Sequence, residues 1–231
     1  MAWCSGSAAA CFALVLLGAL GYSSVLACSC MLEHSQTHAC TADFVIVARV
    51  KKVFMSDHTK IYKVKVKKEF KMQEKARAAL KAGKLATAAG SSMCGLDLKR
   101  DETYLVTGRV VAGQARVSLC GYTRPWKELT ARQRKGFRLL YRQGCSCQIV
   151  HCPWWRDCSN ATLSGDSGAL GDACRWETSM LSDHTLPDCQ EQHAVCLRTA
   201  SGACAWAADK HYKGCMKTRR RIRDEQLSRE P

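Results

Sequence analysis

The first 27 residues of this 231-residue chain contain no Lys, Arg, Asp or Glu, and no apolar run anywhere is long enough to span a bilayer. The apolar stretch Cys11–Leu20 stops at Gly21–Ser24, whereas a signal anchor that stays in the membrane needs about 18 or more uninterrupted apolar residues. Val25–Ala27 supplies the small or compact residues that a signal peptidase reads. We therefore predict a cleaved secretion signal over residues 1–27, with a signal anchor as the alternative. The mature protein is then secreted and extracellular, with no membrane span.

Asparagine is also scarce, and no side chains that would activate a cysteine thiol are evident. Asn160 is the only asparagine, which makes Asn160–Thr162 the only possible N-glycosylation sequon. A thiol oxidoreductase that used Cys145 and Cys147 would need a neighbouring group that lowers a thiol pKa, and no such His or Lys arrangement is evident. We therefore do not expect a thiol oxidoreductase.

Cysteine, in contrast, is abundant. The chain has 16 cysteines, and cleavage after Ala27 removes Cys4 and Cys11 and leaves 14. An even number at this density behind a secretion signal indicates a disulfide framework. The alternative is a set of zinc knuckles, but Cys28-x-Cys30 and Cys145-x-Cys147 have one intervening residue, and structural zinc sites usually have two to four.

The charge is strongly positive and locally concentrated. The chain has 35 basic and 20 acidic residues, and 13 Lys or Arg lie between Arg49 and Lys84 against Asp57, Glu69 and Glu74. Such a surface attracts polyanions through a salt-dependent field. Outside the cell, sulfated glycosaminoglycans are the expected polyanions rather than nucleic acid, and binding them would retain the protein in the matrix. The alternative is a solvated face that keeps the protein soluble.

Several short strands and one helix are predicted along the first part of the mature chain. Apolar and β-branched runs or alternation predict strands at Asp43–Val50, Ile61–Lys67, Thr103–Val110 and Ala115–Leu119. Leu129–Phe137 is predicted to be helical, with Thr130 as the N-cap. This pattern indicates a mainly β fold with flanking helices, built on a small barrel.

The remaining segments differ in composition. Lys71–Gly90 is rich in Ala and Lys, and its sequence leaves open a marginal surface helix or a mobile loop. A boundary is expected near Gly144, because eight cysteines follow between Cys147 and Cys215 and disulfides must replace a large apolar core there. The predicted units are 28–145 and 146–216, and the basic tail 217–231 is predicted to be disordered.

A set of short motifs is spread over most of the mature chain. They are Cys28-Ser29-Cys30 with His34, Gln36 and Cys40; Ala42-Asp43 with Val45-Ile46 and Ala48; Cys94-Gly95; Tyr104-Leu105 with Gly108; Cys120; Pro125-Trp126; Gln133-Arg134 with Gly136-Phe137; Cys145 and Cys147; Cys152-Pro153; Cys174 with Trp176; Cys196; and Cys204-Ala205-Trp206. In these elements the chain resembles the tissue inhibitors of metalloproteinases from Cys28 to about Trp206. The chain departs from the family pattern at Leu32, Ser35 and Ala39, which puts affinity and target range in doubt more than the mode of inhibition.

The resemblance implies a netrin-like N-terminal domain with an oligonucleotide/oligosaccharide-binding (OB) type of barrel and a small disulfide-rich C-terminal domain. It implies the pairs Cys28–Cys94, Cys30–Cys120, Cys40–Cys145, Cys147–Cys204, Cys152–Cys158 and Cys174–Cys196. Cys189 and Cys215 lie outside this pattern, and we pair them by elimination, with an intermolecular bridge as the alternative.

The resemblance also implies a secreted inhibitor of zinc metalloproteinases of the matrix metalloproteinase and disintegrin-metalloproteinase types. The amine and carbonyl of a mature N-terminal Cys28 would bind the zinc of the protease, and the protease contacts would be Cys28, Ser29, Cys30, Met31, Leu32, Glu33, Ser92, Met93, Cys94 and Gly95. The C-terminal domain would bind zymogens. The protein would not be an enzyme and would have no cofactor of its own. The alternative is a glycosaminoglycan- or receptor-binding module without inhibition. We expect His34 and His38 to be surface groups, and Trp154–Trp155 to fill a small core rather than form a docking patch.

Overall fold

A computed structural model describes residues 28–153, 172–178 and 186–228. The predicted signal, Trp154–Trp155, Cys158 and Asn160 lie outside these ranges, so the Cys152–Cys158 pair and the sequon lie outside the described residues. Within the described ranges, no helix is both long and apolar enough to cross a membrane.

The first part of the chain forms a closed β-barrel. Its strands are β1 (Phe44–Ser56), β2 (Thr59–Met72), β3 (Lys84–Ala88), β4 (Thr103–Val111), β5 (Gln114–Arg116) and β6 (Thr123–Pro125). The sheet order is β1-β2-β3-β5-β4-β6, and β1 also pairs with β4. The ring therefore closes through five strands, with β3 and β5 parallel and the other pairs antiparallel. The predicted barrel is confirmed, although the strand expected at Ala115–Leu119 ends at Arg116.

Two apolar clusters hold this barrel in place. One fills the interior and includes Phe44, Tyr62 and Leu85, while the other includes Val45 and Tyr141 and packs the outside of the barrel against helices. Successive residues of β1 point to opposite faces of the sheet, and both faces of its first half are buried. This explains why the first half of β1 is a continuous apolar run rather than an alternating one.

Three short helices accompany the barrel: α1 (Ser35–Thr41), α2 (Glu74–Leu80) and α3 (Ala131–Lys135). The predicted N-cap Thr130 is confirmed, because its side chain accepts from the Gln133 N–H while the Gln133 side chain accepts from the Thr130 N–H. The chain continues from α3 into a π-helical turn at Gly136–Leu140.

The Ala- and Lys-rich segment is neither wholly a surface helix nor a mobile loop. It forms α2 and then β3, and Ala76 and Leu85 are fully buried. β3 closes the barrel because it pairs with β2 on one side and with β5 on the other. This pairing uses backbone hydrogen bonds, so the small side chains of the segment do not prevent it. A count of large apolar residues therefore underestimated the order of this segment.

The second part of the chain forms two small sheets. Strands β7 (Gln148–Pro153) and β8 (Ala173–Thr178) are parallel, while β9 (Ala194–Arg198) and β10 (Cys204–Ala208) are antiparallel. The buried cluster here consists of Cys147, Cys174 and Cys196, with few large apolar side chains around them. Disulfides are present at Cys28–Cys94, Cys30–Cys120, Cys40–Cys145, Cys147–Cys204, Cys174–Cys196 and Cys189–Cys215.

Residues 217–227 of the basic tail belong to a helix, whereas the sequence analysis predicted disorder. This helix is α5 (Tyr212–Leu227), and a shorter helix, α4 (Cys189–His193), precedes β9. The Cys189–Cys215 bridge joins the two helices, and Arg219 is buried and donates to the Glu177 carbonyl oxygen at 2.7 Å. A local charge count misses both the covalent anchor and this buried contact.

Candidate functional site

The segment Cys28–Glu33, called the edge below, precedes α1, has no regular secondary structure and is exposed apart from the half-buried Cys28. Two disulfides fix it: Cys28 to Cys94 and Cys30 to Cys120, each with a Cα–Cα distance of 5.1 Å. The four sulfurs lie within 4.8 Å of one another. Two neighbouring bridges, each to a different loop, therefore anchor the first three residues of this segment.

The loop bonded to Cys28 is itself tightly folded. A 3₁₀ turn at Ser91–Met93 ends at Cys94, whose φ is +59°. The Gly95 N–H donates to the Gly90 carbonyl oxygen at 3.0 Å, and the Leu119 N–H donates to the Cys94 carbonyl oxygen at 2.9 Å. A Cβ on Gly95 would lie 2.1 Å from the Ala88 carbonyl oxygen, so only glycine fits at this position.

Large apolar side chains are unusually exposed along this edge. Met31 is 87% exposed, Leu32 47% and Met93 53%, and Leu119, beside Cys120, is 46% exposed. A cluster of exposed apolar groups on a folded protein marks an interaction surface. The structure thus brings the predicted residues 28–33 and 92–95 together. Sequence reasoning missed Leu119, because it was assigned to a strand.

Two grooves of opposite charge flank Cys30–Glu33. One is lined by Glu33 and three further carboxylates, those of Glu128, Asp188 and Glu191, together with one arginine, Arg124. The other is lined by Arg109 and Arg116 and also by Glu33, which lies between the two grooves. The two arginines lie directly opposite each other on β4 and β5. Like charges directly opposite each other on paired strands are destabilising. The groove with four carboxylates is therefore mainly negative, and the groove with the two arginines is mainly positive.

His34 is buried, contrary to the expectation of a surface group. Its Nδ1 accepts the Gln36 N–H at 3.1 Å, and its Nε2 lies 3.2 Å from the Glu191 carboxylate. The ring packs against Trp176 and Trp206, each with a centroid distance of 5.2 Å. Burial lowers the pKa of His34, and the attraction of Glu191 opposes this only in part. The residue caps α1 and packs the two domains together.

His38 is less buried than His34 and lies 3.4 Å from the Glu33 carboxylate at the end of the edge. Burial lowers the pKa of His38 as well, against the attraction of Glu33. This pair fastens Glu33 to α1.

Gln36 and Glu191 complete the contact between the domains. The Gln36 side chain donates to the carbonyl oxygens of Gly144 and Cys196 and accepts the Cys196 N–H, at 2.8 to 3.1 Å. Glu191 accepts the Ser35 N–H at 3.0 Å. These bonds hold α1 against the C-terminal domain. Because α1 follows the edge directly, they also restrain the end of the edge.

We expect a pH-dependent contribution of His34 to stability. A histidine whose pKa is lowered in the folded state stabilises the fold above its unfolded pKa, and this contribution is lost as pH falls below about 6.5. The difference in thermal unfolding midpoint between the parent and His34→Gln, with disulfides intact, should therefore shrink between pH 7.5 and 5. The exposed His58 provides the control: His58→Gln should match the parent throughout. A gap for His34→Gln that widens in acid would contradict this assignment.

The site has the character of a rigid edge for contact with another protein. Among the residues that the structure describes, the only cluster of three or more potential metal ligands is Cys28, Cys30, Cys94 and Cys120. All four are paired in disulfides, so they offer no thiolate to a metal. The fold and the edge therefore define a disulfide-braced binding protein.

The chain belongs to the tissue inhibitor of metalloproteinase family, whose model matches residues 26–206. It is 34% identical over 197 residues to "Metalloproteinase inhibitor 3" of Scyliorhinus torazame, which covers 84% of this chain and 87% of that protein. It is 33% identical over 210 residues to "Metalloproteinase inhibitor 4" of Rattus norvegicus, covering 86% of each. The "Tissue inhibitor of metalloproteinase" of Drosophila melanogaster is 29% identical over 192 residues, covering 82% and 86%. The resemblance stated from the sequence is confirmed, and the family consists of protease inhibitors rather than enzymes.

Proposed function

We propose that the mature protein is a secreted inhibitor of zinc metalloendopeptidases of the matrix metalloproteinase and disintegrin-metalloproteinase types. In this proposal the α-amine and the carbonyl oxygen of Cys28 bind the catalytic zinc of the protease. The observation that carries the proposal is the double brace, in which Cys28 and Cys30 are each bonded to a different loop. The family assignment supports inhibition of metalloproteinases in general.

The chemistry of the target explains why such an end would inhibit. A catalytic zinc has three protein ligands and an open position for the water that attacks the peptide bond. The amine nitrogen and carbonyl oxygen of one residue can close a five-membered ring on the zinc and displace that water. The amine must be neutral to bind. Its reference pKa is about 7.7 to 8.0, and the charge of the zinc lowers it further.

The brace supplies the affinity that a free peptide would lack. A flexible N-terminus must be ordered when it binds, and each side chain that becomes immobilised costs about 0.5–1.5 kcal/mol. Here Cys28 and Cys30 are already fixed before a protease arrives. Ser29, between them, would enter the main specificity pocket, with Met31–Glu33 along the primed side of the cleft and Ser92–Gly95 along the unprimed side.

The first test is the N-terminal sequence of the protein recovered from the medium of expressing cells. The proposal requires Cys28 as the first residue, because any preceding residue would convert the amine into an amide. Inhibition of a purified matrix metalloproteinase by this material should be stoichiometric. A start at another residue, combined with full inhibition, would refute the zinc-binding role of Cys28.

A glycosaminoglycan site is a second proposed function, favoured by the outward lysines of β2. Lys63, Lys65 and Lys67 are exposed and alternate with inward side chains such as Val64. Lys63 lies directly opposite Lys52, and Lys65 opposite Arg49, an arrangement of like charges that a polyanion would relieve. Lys65→Ala with Lys67→Ala should elute from heparin at clearly lower salt than the parent. The double variant Lys99→Ala with Lys135→Ala removes the same charge elsewhere, and equal elution of the two variants would argue against a defined site.

A further inference from the structure

The positive groove beside the edge contains two arginines that lie next to each other. Arg109 on β4 and Arg116 on β5 are directly opposite in the strand pairing and both are exposed. Side chains of directly opposite residues leave the same face of a sheet, so both guanidinium groups serve this groove. In the described part of the chain, no carboxylate forms an ion pair with either arginine.

The carboxylates near the arginine pair are already engaged. The charge of Arg109 acts on Asp43, but Lys75 lies 2.8 Å from one oxygen of that carboxylate and the Val110 N–H donates to the other at 2.7 Å. Glu33 also lines the groove, and its carboxylate lies 3.4 Å from His38. The like-charged pair thus works against the stability of the sheet without compensation inside the described structure, and such departures from local rules are expected at functional sites.

The positive groove shares its walls with the edge. It is lined by Ser29–Met31 and by Met93–Cys94, together with Val111, which is 50% exposed. A protein that rests on these residues must therefore lie against the groove and withdraw the arginines from water. Covering a charge without a counter-charge is costly, whereas a complementary charge on the partner favours the complex.

We propose that Arg109 and Arg116 select among target proteases by binding a carboxylate on the rim of the active-site cleft. This inference rests on the proposed inhibition of metalloproteinases and adds the kind of protease that is preferred. A carboxylate accepts charge-assisted hydrogen bonds from guanidinium groups, and a lysine or arginine at the same place on the protease would be repelled. Cys28 would inhibit every target, and the arginine pair would rank the targets by affinity.

A sulfated polysaccharide is the competing occupant of the groove. It would supply negative charge, but it would leave the exposed apolar side chains of Met31, Met93 and Val111 in water. The rim of a protease supplies carboxylates and apolar side chains together. Continuity of the groove with the edge therefore favours the protease.

The test compares inhibition constants for several purified matrix and disintegrin metalloproteinases, chosen to differ in the number of carboxylates around the cleft. Arg109→Gln with Arg116→Gln should raise the constant about tenfold or more for enzymes with an acidic rim, and raised salt should reduce this loss. Enzymes with a basic rim should be inhibited as well as before or better. Lys99→Gln with Lys135→Gln removes the same charge from residues that line neither groove and should inhibit like the parent.

A double-mutant cycle then identifies the partner group on the protease. In the enzyme that is affected most, the rim carboxylates are changed to amides one at a time. One such change should reproduce the loss with the parent inhibitor and cause no further loss with Arg109→Gln, Arg116→Gln. The thermal unfolding midpoint of this variant should equal or exceed that of the parent, because repulsion between the arginines is removed.

The inference is overturned if the parent inhibits these enzymes and the arginine variant stays within about threefold of it for all of them; that result would leave zinc binding by Cys28 intact. A loss of equal size for acidic and basic rims, or an equal loss in the lysine control, also overturns it. Earlier elution from heparin with unchanged inhibition constants would assign the pair to a polysaccharide instead. A parent that inhibits none of the enzymes would refute the proposed function itself, and this inference with it.

Discussion

Adding one alanine before Cys28 should abolish inhibition while the protein stays folded. The extra residue turns the α-amine into an amide, which is a very weak zinc ligand, and it also places a methyl group where the zinc would lie. We expect the inhibition constant to rise at least about a thousandfold, equivalent to about 4 kcal/mol. The measurement is a titration of a matrix metalloproteinase with the parent and the extended protein.

The extended protein should keep the parent's thermal unfolding midpoint, because Cys28 remains bonded to Cys94. Chemical acetylation of the amine is an independent version of the same change, and it adds no residue. Unchanged inhibition after both modifications would mean that the edge works by covering the active site and not by binding its zinc.

Removing the second brace should weaken inhibition by a different route. Cys30→Ser with Cys120→Ser leaves the Cys28 amine intact but frees the segment after it, since Cys30–Cys120 is one of only two covalent anchors of the edge. Ordering the freed residues on binding costs about 0.5–1.5 kcal/mol for each immobilised side chain. We expect a loss of affinity of about 10- to 100-fold, and it should arise mainly from faster dissociation.

The matched control removes a bridge that lies away from the edge. Cys189→Ser with Cys215→Ser releases α5 from α4 and is expected to lower stability by about 2–4 kcal/mol. Its inhibition constant should stay within about threefold of the parent at a temperature where both proteins are folded. Equal losses of affinity in the two double variants would show that disulfides act here through global stability alone.

Much of the fold follows from local patterns in the sequence. The alternation of Val64 and Lys65 correctly assigned the inner and outer faces of β2, and Thr130 correctly marked the start of α3. The motif from Cys28 to Cys40, together with the later cysteine order, identified the family, since its spacing is specific.

The wrong predictions share one physical cause: contacts between residues distant in sequence determine the structure at these positions. β3 is ordered because the ring needs a closing strand between β2 and β5, although its own side chains are small. His34 is buried because Trp176 and Trp206 of the second domain cover it. Neither partner is close in sequence, so spacing and composition around His34 carry no sign of its burial.

The most direct measurement is the absorption spectrum of a cobalt-substituted metalloproteinase titrated with the mature protein. Binding of a nitrogen and an oxygen from Cys28 in place of water changes the ligand set, so the visible bands of the cobalt should shift until one equivalent is added. The alanine-extended protein should leave the bands unchanged. A parent that inhibits this enzyme fully without altering the cobalt spectrum would contradict the account.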